Sequence, residues 1–212
     1  MPVITKEQFE EMKSYFPDDE KIQSATYEEL LANTNNGEVD FNNEEEVKLI
    51  VHPKTLQKFD INCGIQCGFV AIDAIFALLG AGGIIQSWKL NEAACRAAAE
   101  VIEVQLTKLP IRADFLRIGD ATLSTEERLN AAGRFLVKLA SAGALAGLLK
   151  TFWKHLHWWQ AALLISNALF LVMSAFASDG LSLVALIMVE AGTVALLLND
   201  AVKAGEICFF QR

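Results

Sequence analysis

Apolar residues fall at helical spacing in the first part of the chain and then fill whole segments after residue 60. Phe9, Met12 and Phe16 lie three and four apart, the spacing that puts them on one helix face. The runs T-K-E-Q from Thr5 and T-Y-E-E from Thr26 read as capping boxes, in which a hydroxyl and a residue three positions on satisfy each other's backbone N–H. Two short amphipathic helices follow. One runs to about Phe16, where Pro17 and Asp18-Asp19 stop it, and the other covers Tyr27 to about Ala32. Asn33 to Asn43, with Gly37, carries turn chemistry. In Glu46 to His52, Val47, Leu49 and Val51 alternate, which predicts an edge strand or extended arm with helix as the alternative.

Beyond Ile61 the segments read as helix. Ile65 to Leu79 carries a single charge, Asp73, and ends at the Gly80–Gly83 patch, which lacks the features of a phosphate cradle. Asn91 caps a helix to about Leu109 with Cys95, Ala98, Ala99, Ile102 and Leu106 as its apolar stripe, and Pro110 terminates it. Ser124 with Glu127 forms a third capping box and opens a long helix to about Trp153. The spacings Gly64-x-x-x-Gly68 and Gly143-x-x-x-Gly147 permit close helix approach.

Leu156 to Ser178 contains no Asp, Glu, Lys or Arg, and Leu181 to Asn199 contains only Glu190. Either run is about as long as the ~20 residues that cross a bilayer as helix. The Ser178-Asp179-Gly180 turn would make them an antiparallel hairpin over residues 156–199, with Leu164, Leu169, Phe170, Leu186 and Leu197 as its membrane-insertion residues. Trp153, Trp158 and Trp159, beside Lys154, His155 and His157, suit an interfacial anchor. Asp73 and Glu190 are the pH-sensing candidates, because an ionised carboxylate in hydrocarbon is costly unless paired or protonated. The middle layer of a helical bundle has the same pattern, so these runs are equally readable as core.

The expected fold is therefore all-α: a helical bundle around a central hydrophobic hairpin. An acidic N-terminal region, residues 1–60, supplies short helices and the arm, and residues 61–212 form the bundle. Composition agrees, with 53% hydrophobic residues, a mean hydropathy of +0.31 and a net charge of -8. That acidity argues against nucleic acid, whose phosphates need clustered Lys and Arg.

The four cysteines, Cys63, Cys67, Cys95 and Cys208, are expected as reduced thiols. Cys63 and Cys67 share a helix face but make only half of a tetrahedral site, and His155 and His157 are about 200° apart on a helix, so no metal is expected. Nucleophile elbows, phosphate loops and zinc-protease motifs are absent, so neither a catalytic residue nor a cofactor is expected. The first residues lack a basic start and apolar run, which predicts a chain made without a signal peptide, cytoplasmic or released, and membrane-associated when active.

Three functional readings follow. The first is a membrane-active, pore-forming or permeabilising protein whose partner is a lipid membrane and which self-associates there. In outline it resembles colicin-type and Bcl-2-type helical domains, a buried hydrophobic hairpin wrapped by amphipathic helices, over about the last two thirds of the chain. The second is a helical carrier of a lipid or other apolar ligand, with Phe69, Phe76, Trp88 and Phe170 lining a cavity. The third is an integral membrane protein of three to four spans, adding Ile65–Trp88 and Phe135–Trp153.

Overall fold

A computed structural model of the protein describes residues 4–34, 62–79, 92–153, 156–177 and 191–210. The fold is all-α, and no strand occurs among the described residues. The helices are α1 (Lys6–Ser14), α2 (Glu20–Ser24), α3 (Tyr27–Ala32), α4 (Cys63–Leu79) and α5 (Glu92–Leu106). Then come α6 (Leu109–Gly119), α7 (Thr125–Ser141), α8 (Ala144–Trp153), α9 (Trp158–Ala177) and α10 (Ala191–Gly205), which passes into one turn of π-helix, Glu206–Phe210. The expected arm at Glu46–His52 and the Gly80–Gly83 patch lie outside the described residues.

Local signals fix most helix starts. All three capping boxes form: Thr5 with Gln8, Thr26 with Glu29 and Ser124 with Glu127. In the first, the Thr5 N–H donates to Gln8 Oε1 at 2.8 Å and the Gln8 N–H to Thr5 Oγ1 at 3.2 Å. Asp19, expected to help stop α1, also caps α2, its Oδ1 accepting from the Lys21 and Ile22 N–H groups.

Two expected boundaries are corrected. Pro110 does not merely end a helix: α5 stops at Leu106, and Pro110 sits in the first turn of α6, where its missing N–H leaves nothing unpaired. The long helix from Ser124 to Trp153 is two helices, α7 and α8, bent by 100°. Gly143 causes the break, since its φ of +70° is left-handed backbone that suits glycine and ends a helix. Phe135–Trp153 is accordingly no straight span, and Gly143 serves a turn rather than a helix contact.

The centre of the bundle is α4, whose residues from Gly64 to Ala77 are all buried. It packs against α5 and α10, with α7 and α9 closing the remaining sides. The close approach of α5 requires Gly68, where an added Cβ would lie 3.3 Å from the Ala99 backbone nitrogen. The predicted stripe of α5 is buried here at Cys95, Ala98, Ala99 and Ile102. A polar stitch joins α4 to α10: Gln66 Nε2 donates to the Asp200 carbonyl at 3.1 Å.

Around that centre, α6 and α7 clasp each other through Asp114, buried and paired with Arg134 at 3.0 Å and with Lys138. The Phe115 and Phe135 rings meet edge to face, 5.6 Å apart. Arg128 donates to the carbonyls of Ile118 at 2.8 Å and Leu198 at 3.0 Å, tying α7 to the end of α6 and to α10.

The position expected for the hairpin is partly different. Helix α9 is buried over most of its first three turns, but α10 is amphipathic, burying Leu197, Ala201 and Ala204 while exposing Ala195, Asn199 and Lys203. It also continues past Asn199, where the expected apolar run ends, to Gly205. The connecting residues 178–190 lie outside the described residues. Among the described residues no single helix is long and apolar enough to cross a membrane; the apolar stretches Cys63–Ala77 and Trp158–Val172 are shorter than a span.

Candidate functional site

The first three helices form a small acidic unit, with eight carboxylates against three lysines between Ile4 and Thr34. Side-chain bonds hold it together. The Tyr27 hydroxyl donates to the Ile4 carbonyl at 2.8 Å, and Gln23 Nε2 donates to the carbonyls of Lys13 and Phe16, each at 3.0 Å. Phe9 and Met12 face inward from α1, and Lys150 of α8 lies over the Phe16 ring at 5.2 Å.

Helix α1 lies along α9. Between them is a recess of about 240 Å³ lined by Glu11, Met12, Tyr15, Ser166, Leu169 and Phe170 among others. Ser166 is buried there, and its hydroxyl makes no hydrogen bond among the described residues. Trp158, at the start of α9, lines a second recess with Lys21, Ser24 and Glu29 of the acidic unit. The seam therefore runs along α9 beneath the N-terminal helices.

The sequence-predicted residues divide between this seam and the core. Leu169 and Phe170 reach the seam, and Phe170 is 50% exposed at its edge. Leu164 and Leu197 are fully buried in the bundle. Trp158 and Trp159 are half-buried, Trp159 stacked on His157 with ring centres 6.3 Å apart. Trp153 ends α8, its side chain not among those described, and Leu186 and Glu190 lie outside the described residues. Asp73 is fully buried in the middle of α4. The proposed carrier lining is not assembled: Phe76 is sealed within α4's surroundings, whereas Phe170 stands at the seam, and Trp88 is outside the described residues.

A second constellation lies at the other end of α4, and it corrects the expectation of four reduced thiols. Cys63 opens α4 and is disulfide-bonded to Cys208 in the π-helical turn, with a Cα–Cα distance of 5.1 Å across 145 residues of sequence. Cys67, one turn along α4, is buried with its sulfur 3.5 Å from that of Cys208. All three sulfurs lie within 4.8 Å of one another. Burial pushes the Cys67 thiol up to about 12, and the nearby Glu103 charge adds to the effect, so the neutral thiol is the resting form. Sequence reading found the Cys63–Cys67 half of this group. Its third member is brought in only by the docking of α10, for which no local pattern exists.

Comparison with protein-family models, with curated proteins and with solved structures finds no match to this chain. The expected likeness in outline to colicin-type and Bcl-2-type helical domains finds no support in these comparisons.

Proposed function

We propose that this protein is membrane-active: it folds in water with α9 covered by the acidic N-terminal helices, and acts by releasing α9 and the apolar sequence after it into lipid. The observation that carries this reading is the seam itself. An apolar helix that carries a half-exposed Phe170 beyond its midpoint is covered along one side by a separate, self-bonded unit of opposite character. Ser166 adds no hydrogen bond across it, and Met12 of the cover lines it with apolar surface.

Charge supplies the trigger. The eight carboxylates of the cover repel anionic lipid at neutral pH, and acidification to about pH 4, where carboxylates in general take up protons, weakens that repulsion. Once the cover moves aside, Trp158 and Trp159 are placed to sit at the headgroup level. A carrier role is less well supported, because the aromatic residues expected to line its cavity do not meet in one recess among the described residues: Phe76 is fully buried in the bundle, whereas Phe170 stands at the seam.

Dye release from liposomes of anionic and of neutral lipid, followed from neutral pH down to about pH 4, tests the reading. Leakage should grow with acidification and with anionic lipid. Phe170→Asp, at an exposed position, should suppress leakage while leaving the fold intact, since a charge near the middle of an inserted helix costs about 2.5–3.5 kcal/mol. Met12→Asp should act oppositely, loosening the cover and promoting leakage at neutral pH. Liposomes that stay sealed under every condition, or a Phe170→Asp variant that leaks like the parent, would refute insertion of α9.

A further inference from the structure

Two sulfur atoms on the first turns of α4 and one from the π-helical turn after α10 converge, and a resting disulfide uses only two of them. We infer that, once the Cys63–Cys208 bond is reduced, Cys63, Cys67 and Cys208 together hold one thiophilic closed-shell cation of the Zn²⁺ kind. The geometry carries this. Zinc binds thiolate at about 2.3 Å, which in a tetrahedron separates the sulfurs by about 3.8 Å. The three sulfurs here lie within 4.8 Å of one another, Cys67 and Cys208 at 3.5 Å, so opening the disulfide brings the set to ligand spacing with small side-chain rotations.

Rigid elements hold the ligands. Cys63 and Cys67 occupy one face of α4, a helix otherwise enclosed by the bundle, and the Gln66–Asp200 hydrogen bond pins α10 alongside between the two. Glu103 approaches from α5, its carboxylate so close to Gly64 that an added Cβ there would fall 1.8 Å from Oε1. Cys63 is exposed, which gives an ion a way in and leaves room for a water as fourth ligand.

The chemistry balances with a dithiol as reductant. Its two sulfurs lose two electrons and two protons and close into a disulfide, while the Cys63–Cys208 bond takes up both and separates into two thiols. Binding then forms three sulfur–metal bonds and releases three protons to solvent. Disulfide and metal are mutually exclusive occupants of the same atoms, so the site loads only under reducing conditions. This inference is independent of the membrane reading.

The full chain, reduced with a dithiol and desalted without oxygen, is titrated with Zn²⁺ against a chromophoric chelator. It should take up one ion per chain, whereas the oxidised chain should take up none. Cys67→Ser should weaken binding by more than about 100-fold, beyond the loss expected from changes outside the ligand set, and Cys95→Ser should leave it unchanged. Since Cys67 is buried, a second measurement uses the parent protein alone: Zn²⁺ should slow alkylation of Cys63 and Cys208 in the reduced chain. No stoichiometric binding, equal affinity in Cys67→Ser, or alkylation indifferent to Zn²⁺ would each overturn the site.

Discussion

Helices α4 and α9 have nearly the same character in sequence and different fates in the fold. Both are apolar, and both are shorter than a bilayer span over their described apolar stretches. Yet α4 is enclosed from Gly64 to Ala77 by four other helices, while α9 is sealed over most of its first three turns and then opens at Phe170 beneath α1. Hydrophobicity alone therefore does not say what a helix is for. What distinguishes the two is the kind of neighbour: the flanks of α4 are integral parts of the bundle, whereas one flank of α9 is a small acidic unit bonded mainly to itself.

The largest effect expected from this contrast concerns stability. Phe76→Ala, at a fully buried position of α4, should cost about 3–5 kcal/mol in denaturant unfolding, the transfer and cavity terms adding. Phe170→Ala should stay within about 0.5 kcal/mol, as surface changes do. Similar losses at the two sites would mean that α9 is as firmly sealed as α4.

Smaller, but sharper about the α4 seal, is the pair Gly68→Ala and Gly147→Ala. At Gly68 the new methyl presses on the α5 backbone at Ala99 and should destabilise by about 1–3 kcal/mol. At Gly147 it would meet only Val101 Cγ atoms at 3.6 and 3.7 Å, ordinary contact, and the helix preference for alanine should make the change neutral or stabilising by up to about 1 kcal/mol. Thermal unfolding midpoints that move the same way in both variants would remove the distinction between the two small-residue spacings.

A further effect is expected in alkali. The Cys67 thiol is raised in the folded state from 9.0 to about 12, so the unfolded chain ionises first. Its contribution is fully present below the unfolded value and is lost as pH climbs through that window. Cys67→Ala should flatten this alkaline decline in unfolding free energy, leaving any remaining slope to lysines and tyrosines.

Legibility followed the range of the interactions. The capping boxes at Thr5, Thr26 and Ser124 were readable because each closes within four residues. Pro110 and Gly143 misled because the same residue types serve two purposes: proline stops a helix or opens the next, and glycine packs helices or turns the chain. The central place of α4 was not readable, since α4, α9 and the start of α10 look alike until their partners' stripes are matched in space. At the seam, Leu169 and Phe170 were legible as apolar positions of the expected hairpin and Trp158 as an aromatic beside basic residues; that α1 in particular lies over them was not. The sulfur group was half visible, as its closure spans 145 residues and depends on a π-helical turn.

The bond between Cys63 and Cys208 encloses every helix from α4 to α10 in one covalent ring. Stretching the molecule by its two termini would therefore leave the ring's interior slack, with tension passing across a single sulfur bridge while the N-terminal helices peeled away first. If α9 leaves the bundle as proposed, in the oxidised protein it can do so only as a loop with both ends tethered, never as a free tail.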